Sequence, residues 1–107
     1  MKLKKLLPAC AIAATTVFGA GAQAQVSGDV IKIGFITDLS GLYADIDGPA
    51  GAEAIKMAIA DMGGALNGKK IELLVADHQN KADVAAAKAR EWFDTQGVDM
   101  LIGGTNS

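Results

Sequence analysis

The sequence predicts an α/β fold, with a parallel sheet built in the order β-α-β-α-β and the first strand lying between the other two (strand order 2-1-3). Three short runs of β-branched and aliphatic residues alternate with two longer segments whose apolar residues repeat at helical spacing. The first run is almost continuously apolar, which is typical of a strand that helices cover on both faces. Right-handed crossovers then place one helix on each face of the sheet.

The first 24 residues have the three parts of a secretory signal peptide. A lysine-rich start precedes an uncharged stretch from Leu6 to Gly21, and Ala22-Gln23-Ala24 supplies a small-residue cleavage site. The uncharged stretch is shorter than the roughly 20 apolar residues that span a bilayer. We therefore expect residues 1–24 to be removed on export and residues 25–107 to form the exported protein.

Composition narrows the possible partners of residues 25–107. They carry 12 acidic and 7 basic side chains, a formal balance of −5, and their only adjacent basic pair is Lys69-Lys70. This charge argues against nucleic acid as a partner, because phosphate binding needs clustered cations. Cys10, the only cysteine, lies in the leader, so we expect neither a disulfide nor thiol chemistry after cleavage.

The first half of residues 25–107 predicts a strand and a helix. The strand covers Val30–Ile36 and runs into a polar loop. A helix is predicted from Gly48-Pro49 to about Met62, because proline is tolerated at the first helical position, and Gly63-Gly64 ends it. Asn67-Gly68 predicts a tight turn. The apolar stripe of the helix follows i, i+3, i+4, i+7 spacing: Ile55, Ala58, Ile59 and Met62.

The second half repeats this pattern. A strand is predicted over Ile71–Ala76, and Asn80 with Asp83 resembles a capping box at the start of a second helix. That helix ends at Gln96-Gly97, and Val98–Ile102 forms the third strand. The apolar positions of the second helix are Ala85, Ala86, Ala89, Trp92 and Phe93. Trp92 falls on this stripe, which favours a core position.

Two loops, residues 38–47 and 103–107, are predicted to meet at the carboxyl edge of the sheet, where α/β proteins bind ligands. Ser40 and Ser107 lie just past strand ends, and hydroxyls beside free backbone N–H groups suit a carboxylate ligand. Two interpretations stay open, because Ser40 could instead shape its turn and Ser107 could be an exposed end. Tyr43 either stacks on a ligand or packs on the loop.

The sequence gives little support for a nucleotide, metal or calcium site. The glycines of the first loop do not fit a dinucleotide fingerprint, and Asn67-Gly68-Lys69-Lys70 lacks parts of a P-loop, so no cofactor is expected. His78, the only histidine, has no second histidine for a metal site and reads as a polar strand end facing solvent or the cleft rim. The spacing of Asp38, Asp45 and Asp47 departs from a calcium loop and favours turn formation.

Four segments carry a family resemblance. They are I-K-I-G-F-I-T-D-L-S-G, G-A-E-A-I-K-M-A-I-A-D, G-K-K-I-E-L-L-V-A-D-H-Q-N-K-A-D and G-V-D-M-L-I-G-G-T-N-S. Together with the exported leader, they resemble the amino-terminal lobe of the leucine/isoleucine/valine-type (type I) periplasmic binding proteins. These are the substrate-binding components of ABC importers for branched-chain amino acids and related compounds. The resemblance covers residues 29–107.

The resemblance implies a two-lobed protein without catalysis, which closes on a small-molecule ligand and delivers it to a membrane permease. It implies that Ser107 donates its hydroxyl to the carboxylate of a bound amino acid, and we place Asn106 beside it. It also implies that the loop containing Ser40, Gly41 and Tyr43 forms part of the pocket wall. Asp45-Ile46-Asp47 stands where amino-acid binders often have an aromatic residue, so aromatic or other organic acids join the expected ligands.

Members of this family are considerably longer, so we expect residues 25–107 to be an incomplete amino-terminal lobe, a fragment of a substrate-binding domain. The main alternative is the extracellular ligand-sensing domain of a receptor or regulator with the same fold. A secreted α/β hydrolase would need a nucleophile elbow, which this sequence does not contain.

Overall fold

The computed structural model describes residues 26–106; the predicted leader and Ser107 lie outside the described residues. Six elements follow one another along these residues: β1 (Val30–Thr37), α1 (Ala44–Asp61), β2 (Ala65–Leu66), β3 (Lys69–Asp77), α2 (Ala82–Thr95) and β4 (Met100–Gly103). Neither helix is long and apolar enough to cross a membrane.

The sheet has the order β2-β3-β1-β4, and β1 pairs in parallel with both β3 and β4. The predicted α/β fold is therefore confirmed, since the predicted second and third strands flank the first. Ile36 lies opposite both Ala76 and Gly103 in the register. This register brings the carboxyl ends of the three parallel strands to one edge, which we call the carboxyl edge.

The short strand β2 was not predicted. It pairs antiparallel with the start of β3 around Asn67-Gly68, and both turn residues have positive φ values of 51° and 78°. Positive φ at both central residues matches a tight two-residue hairpin turn, for which Asn-Gly is the favoured dipeptide. The turn itself was predicted, but a two-residue strand is too short to show a periodic pattern.

Helix α1 begins at Ala44, so the predicted start at Gly48-Pro49 is wrong. The Tyr43 N–H, at the helix N-cap, donates to the Asp38 carboxylate at 3.0 Å, and the Ala44 N–H donates to the Gly41 carbonyl at 3.3 Å. These bonds start the helix one turn earlier. Gly48 is instead a contact point, because a β-carbon there would collide with the Asp38 carbonyl oxygen.

The buried side of α1 is made mainly of small residues. Gly48 and Ala52 are buried, and Ile55 and Ile59 are half-buried. Met62, at the end of the predicted stripe, is 54% exposed. The helix therefore sits close to the sheet near the carboxyl edge and leaves its far end open.

Helix α2 starts after Lys81, so the predicted capping box at Asn80 is wrong. Asn80 has a φ of 54° and its N–H donates to Nδ1 of His78 at 2.9 Å, outside the helix. The carboxyl end agrees with the prediction. Gln96 is the C-cap, and Gly97 follows with a φ of 64°, a left-handed conformation that glycine adopts without strain.

Trp92 forms the core of this layer, as predicted. It is 4% exposed and packs with Ile36 and Val98 between α2 and the sheet. Its ring lies directly over Gly34 of β1, where a β-carbon would come within 2.6 Å of the ring carbons. Val98 was predicted to open the third strand, but its N–H donates to the Trp92 carbonyl at 3.3 Å and β4 begins two residues later.

Candidate functional site

Two loops emerge side by side at the carboxyl edge. The first loop, residues 38–43, follows β1, and the third loop, residues 104–106, follows β4. The first loop is shorter than predicted because α1 starts at Ala44. The Gly104 N–H donates to the carbonyl of Ile36 at 2.7 Å, so the third loop leaves β4 directly beside β1.

Asp38 organises the first loop from within. Its side chain is completely buried, and its carboxylate accepts the N–H groups of Ser40 at 3.3 Å, Gly41 at 2.7 Å and Tyr43 at 3.0 Å. A carboxylate that accepts several backbone N–H bonds holds a turn in one conformation. The expectation of free backbone N–H groups beside Ser40 is therefore wrong.

Asp77, at the end of β3, holds the same loop from outside. It accepts the Ser40 hydroxyl, the Leu39 N–H at 3.0 Å and the Gln79 N–H at 2.8 Å. The Ser40 and Leu39 bonds lower the pKa of Asp77 below its ordinary value. Because Ser40 gives its only hydroxyl proton to Asp77, its exposed oxygen is left to act as an acceptor.

Asp47, in the first turn of α1, connects the two loops. One carboxylate oxygen accepts the Thr37 hydroxyl at 3.0 Å, and the other accepts the Thr105 N–H at 2.8 Å. Burial acts to raise the pKa of Asp47, but the hydrogen bonds from Thr105 and Thr37 outweigh it and the pKa lies below its ordinary value.

His78 is 2% exposed, so of the two predicted alternatives, solvent or the cleft rim, the first is wrong. Its Nδ1 accepts the Asn80 N–H, which places the proton of a neutral ring on Nε2. Within the described residues Nε2 has no hydrogen-bond partner. The ring lines a groove of about 240 Å³ between α2 and β4, whose other walls are Ile36, Ala85, Ala86, Ala89, Leu101, Gly103, Gly104 and Asn106.

The predicted site residues occupy both loops. Ser40 and Gly41 are exposed and Tyr43 is half-buried in the first loop, while Asn106 is exposed in the third loop. Ser107 lies outside the described residues. No group of three or more His, Cys, Asp or Glu side chains in residues 26–106 has the arrangement of a metal site.

Sequence reasoning missed the residues that hold the two loops in place, which are Asp77, Asp47, Thr37 and Thr105. Asp77 directly follows a predicted strand, and that position alone was a signal that it lies at the carboxyl edge. Asp47 gave no such signal, because the prediction placed it in a loop rather than in the first turn of a helix.

The third loop also depends on a glycine. A β-carbon at Gly104 would collide with the Thr37 hydroxyl and lie 2.9 Å from the Thr37 Cα. We expect Gly104→Ala to lower the free energy of unfolding by about 1–3 kcal/mol through overpacking, measured by urea denaturation. Gly103→Ala is the matched control, because nothing lies within 4 Å of its added carbon. Equal stability of the two variants would contradict this contact.

A parallel sheet with two polar loops at its carboxyl edge defines a ligand-binding α/β domain. The model of a family described as periplasmic binding protein matches residues 30–107. The chain therefore belongs to the periplasmic binding protein family, and one similar solved structure, from Bordetella pertussis, is a periplasmic binding protein type 1. Family membership implies a periplasmic location, and these relatives are binding proteins rather than enzymes. No curated protein matches the chain.

Three solved structures illustrate the relationship. A periplasmic binding protein from Burkholderia mallei is 72% identical, with a TM-score of 0.72, over 73% of this chain and 21% of that chain. A branched chain amino acid ABC transporter periplasmic ligand-binding protein from Burkholderia xenovorans is 44% identical, with a TM-score of 0.65, over 67% and 19%. An ABC transporter solute binding protein from Rhodopseudomonas palustris, in complex with 3,4-dihydroxy benzoic acid, is 30% identical, with a TM-score of 0.64, over 69% and 20%. The chain spans about one fifth of the length of these relatives.

Proposed function

We propose that this protein is the periplasmic solute-binding component of an ABC importer, and that its ligand is a branched-chain amino acid or a related small organic acid. The observation that carries this proposal is the meeting of the first and third loops at one carboxyl edge, held there by Asp38, Asp77 and Asp47. Family membership supports it independently. The partner that receives the ligand is a membrane permease.

The hydrogen bond from Ser40 to Asp77 restricts the kind of ligand group that Ser40 can bind. Its hydroxyl proton is committed to Asp77, so its oxygen accepts a hydrogen bond from a ligand and does not donate one. Asp77 adds negative charge behind it, and its lowered pKa keeps that charge at neutral pH. The first loop therefore favours a donor on the ligand, such as an ammonium or a phenolic hydroxyl.

The third loop is proposed to bind the other end of the ligand. The resemblance assigns the ligand carboxylate to Ser107, next to Asn106, and we keep this assignment as a proposal. A ligand that carries both a carboxylate and a hydrogen-bond donor can contact both loops. Branched-chain amino acids combine these groups, and so does 3,4-dihydroxybenzoate, the compound bound by the relative from Rhodopseudomonas palustris.

Isothermal titration calorimetry of the full-length protein, with both expected lobes, tests this proposal with two matched pairs of compounds. L-leucine is compared with 4-methylpentanoate, which lacks the ammonium, and 3,4-dihydroxybenzoate is compared with benzoate, which lacks the hydroxyls. We expect the donor-bearing member of the preferred pair to bind at least about tenfold more tightly, because its absence leaves a polar site unpaired. Ser40→Ala should reduce this preference.

Two results would count against the proposal. If none of the four compounds bound, branched-chain amino acids and aromatic acids would be excluded as ligands. Equal affinity within each pair would show that the first loop does not bind a donor, and the assignment of Ser40 would then be wrong.

A further inference from the structure

We propose that Asp47 is a positioning residue that holds the third loop in the conformation that binds the ligand. The inference rests on the proposed function, because it assumes that the third loop contacts the ligand. Asp47 itself lies in the first turn of α1 and need not touch the ligand. We call its two hydrogen bonds, to Thr37 and Thr105, the Asp47 bridge.

The bridge joins three elements through one side chain. Thr37, the last residue of β1, is completely buried, so the hydroxyl that it donates to Asp47 Oδ1 has a fixed position. The other oxygen, Oδ2, accepts the Thr105 N–H from a residue 58 positions later in the chain. The end of β1, the start of α1 and the third loop are thereby held at one point.

The bridge acts at the position where the third loop leaves the sheet. Gly104 is held by its bond to the Ile36 carbonyl and by its close contact with Thr37, and Thr105 is then held by Asp47. Asn106 is the next residue, and it lines the groove at the carboxyl edge. With Gly104 and Thr105 fixed in succession, little backbone freedom is left to set the direction of Asn106. Ordering this loop before binding removes an entropic cost from the ligand affinity.

Within the described part of the chain, no lysine or arginine forms an ion pair with Asp47. The ion pairs within residues 26–106 are Lys56–Glu53 and Lys88–Glu91, and neither includes Asp47. Hydrogen bonds from Thr105 and Thr37 stabilise the carboxylate, and the amino-terminal turn of α1 adds a favourable dipole.

Other titratable groups lie around the same edge. Asp38 is enclosed by the N–H groups of the first loop, and Asp77 faces that loop from β3. His78 faces the groove and favours the charged forms of both Asp47 and Asp77. Asp45, on the same turn as Asp47, is exposed. Only Asp47 among these carboxylates bonds to the third loop.

The lowered pKa of Asp47 gives the bridge a defined pH dependence. A carboxyl group with a depressed pKa in the folded state contributes its full stability above its ordinary value of 3.8 and loses it as the pH falls through the lowered value. Third-loop order and ligand affinity should therefore be constant at neutral pH and fall below pH 3.8.

The test compares Asp47→Ala with Asp45→Ala, which removes the same charge from the same helical turn. Amide hydrogen exchange of Thr105 is measured by NMR, and the dissociation constants of L-leucine and 3,4-dihydroxybenzoate are measured by calorimetry. We expect Asp47→Ala to speed amide exchange at Thr105. We also expect it to lower the affinity for the compound that binds by about tenfold or more, which is the loss expected for a hydrogen bond to a charged group. Asp45→Ala should leave the amide exchange of Thr105 unchanged.

Asp47→Asn separates positioning from charge. An asparagine can accept the Thr105 N–H with its oxygen and donate its amide to the Thr37 oxygen, so it should restore most of the exchange protection and affinity. It cannot titrate, so the loss of affinity below pH 3.8 should be smaller than in the unsubstituted protein. Thr37→Val removes the hydroxyl that donates to Asp47 and so weakens the same bridge. This variant replaces Asp47→Ala in the test if Asp47→Ala does not fold.

The outcomes are distinguishable. Unchanged Thr105 exchange in Asp47→Ala would overturn the bridge, and faster exchange with unchanged affinity would overturn its positioning role. If the unsubstituted protein binds neither compound, the proposed function fails and the effect on affinity fails with it. Faster exchange in Asp47→Ala would still support the bridge in that case.

Discussion

Replacement of Trp92 with alanine is expected to lower the free energy of unfolding by about 3–5 kcal/mol, the range typical of a large aromatic removed from a core. The side chain is 4% exposed and fills the space between α2 and the sheet. It also covers Gly34, which has no side chain with which to close the cavity left behind. The substitution therefore removes the buried side chain that α2 contributes to the core.

Urea denaturation followed by circular dichroism measures this effect. Phe93→Ala is the matched control, because Phe93 is the next residue on the same helix and is 48% exposed. Phe93→Ala should lower the free energy of unfolding much less than Trp92→Ala does. If the two variants were destabilised equally, the packing of α2 against Gly34 would be wrong.

Asp38→Ala should have the second-largest effect, a loss of about 2–4 kcal/mol in the free energy of unfolding, because it removes the buried carboxylate that accepts three backbone N–H groups. The Asp38 carboxylate is completely buried and accepts the N–H groups of Ser40, Gly41 and Tyr43. The Tyr43 bond also starts α1. We therefore expect both the first loop and the first turn of α1 to become more mobile.

Amide exchange of Gly41 and Tyr43, measured together with the free energy of unfolding, tests this prediction. Asp45→Ala is the control, because Asp45 is exposed and lies two residues after Tyr43. A variant with native stability and unchanged exchange at both amides would show that the first loop is held by other contacts.

The three buried or partly buried carboxylates at the carboxyl edge have separate structural tasks. Asp38 shapes the first loop, Asp77 attaches that loop to β3, and Asp47 attaches the third loop to β1 and α1. Their hydrogen bonds come from backbone N–H groups and hydroxyls, which stabilise charge without placing a cation beside the proposed ligand.

Local patterns predicted most of the fold. The order of strands and helices, the parallel arrangement, the place of Trp92 in the core and the end of α2 at Gln96-Gly97 were all confirmed. These features depend on apolar spacing and on glycine conformation, and both can be recognised from residues that are neighbours in the sequence. The family resemblance was confirmed as well.

The two errors in the helix starts share a cause, which is a hydrogen bond between a polar side chain and a backbone N–H that helical spacing does not reveal. The Asp38 carboxylate starts α1 ahead of Gly48-Pro49, and His78 takes the Asn80 N–H outside α2. In each case the sequence showed a good helix signal, and a nearby hydrogen bond outside the pattern changed where the helix begins.

The amino-acid sequence by itself determined the class of fold and the edge of the sheet where the two polar loops meet, because hydrophobic periodicity and crossover handedness are short-range properties. Only the tertiary structure decided what Ser40, Asp47 and His78 do there. The Thr105 N–H reaches Asp47 across 58 positions, and the Ser40 proton goes to an aspartate 37 positions away. Hydrogen bonds between such distant residues exist only once the sheet has brought the loops together.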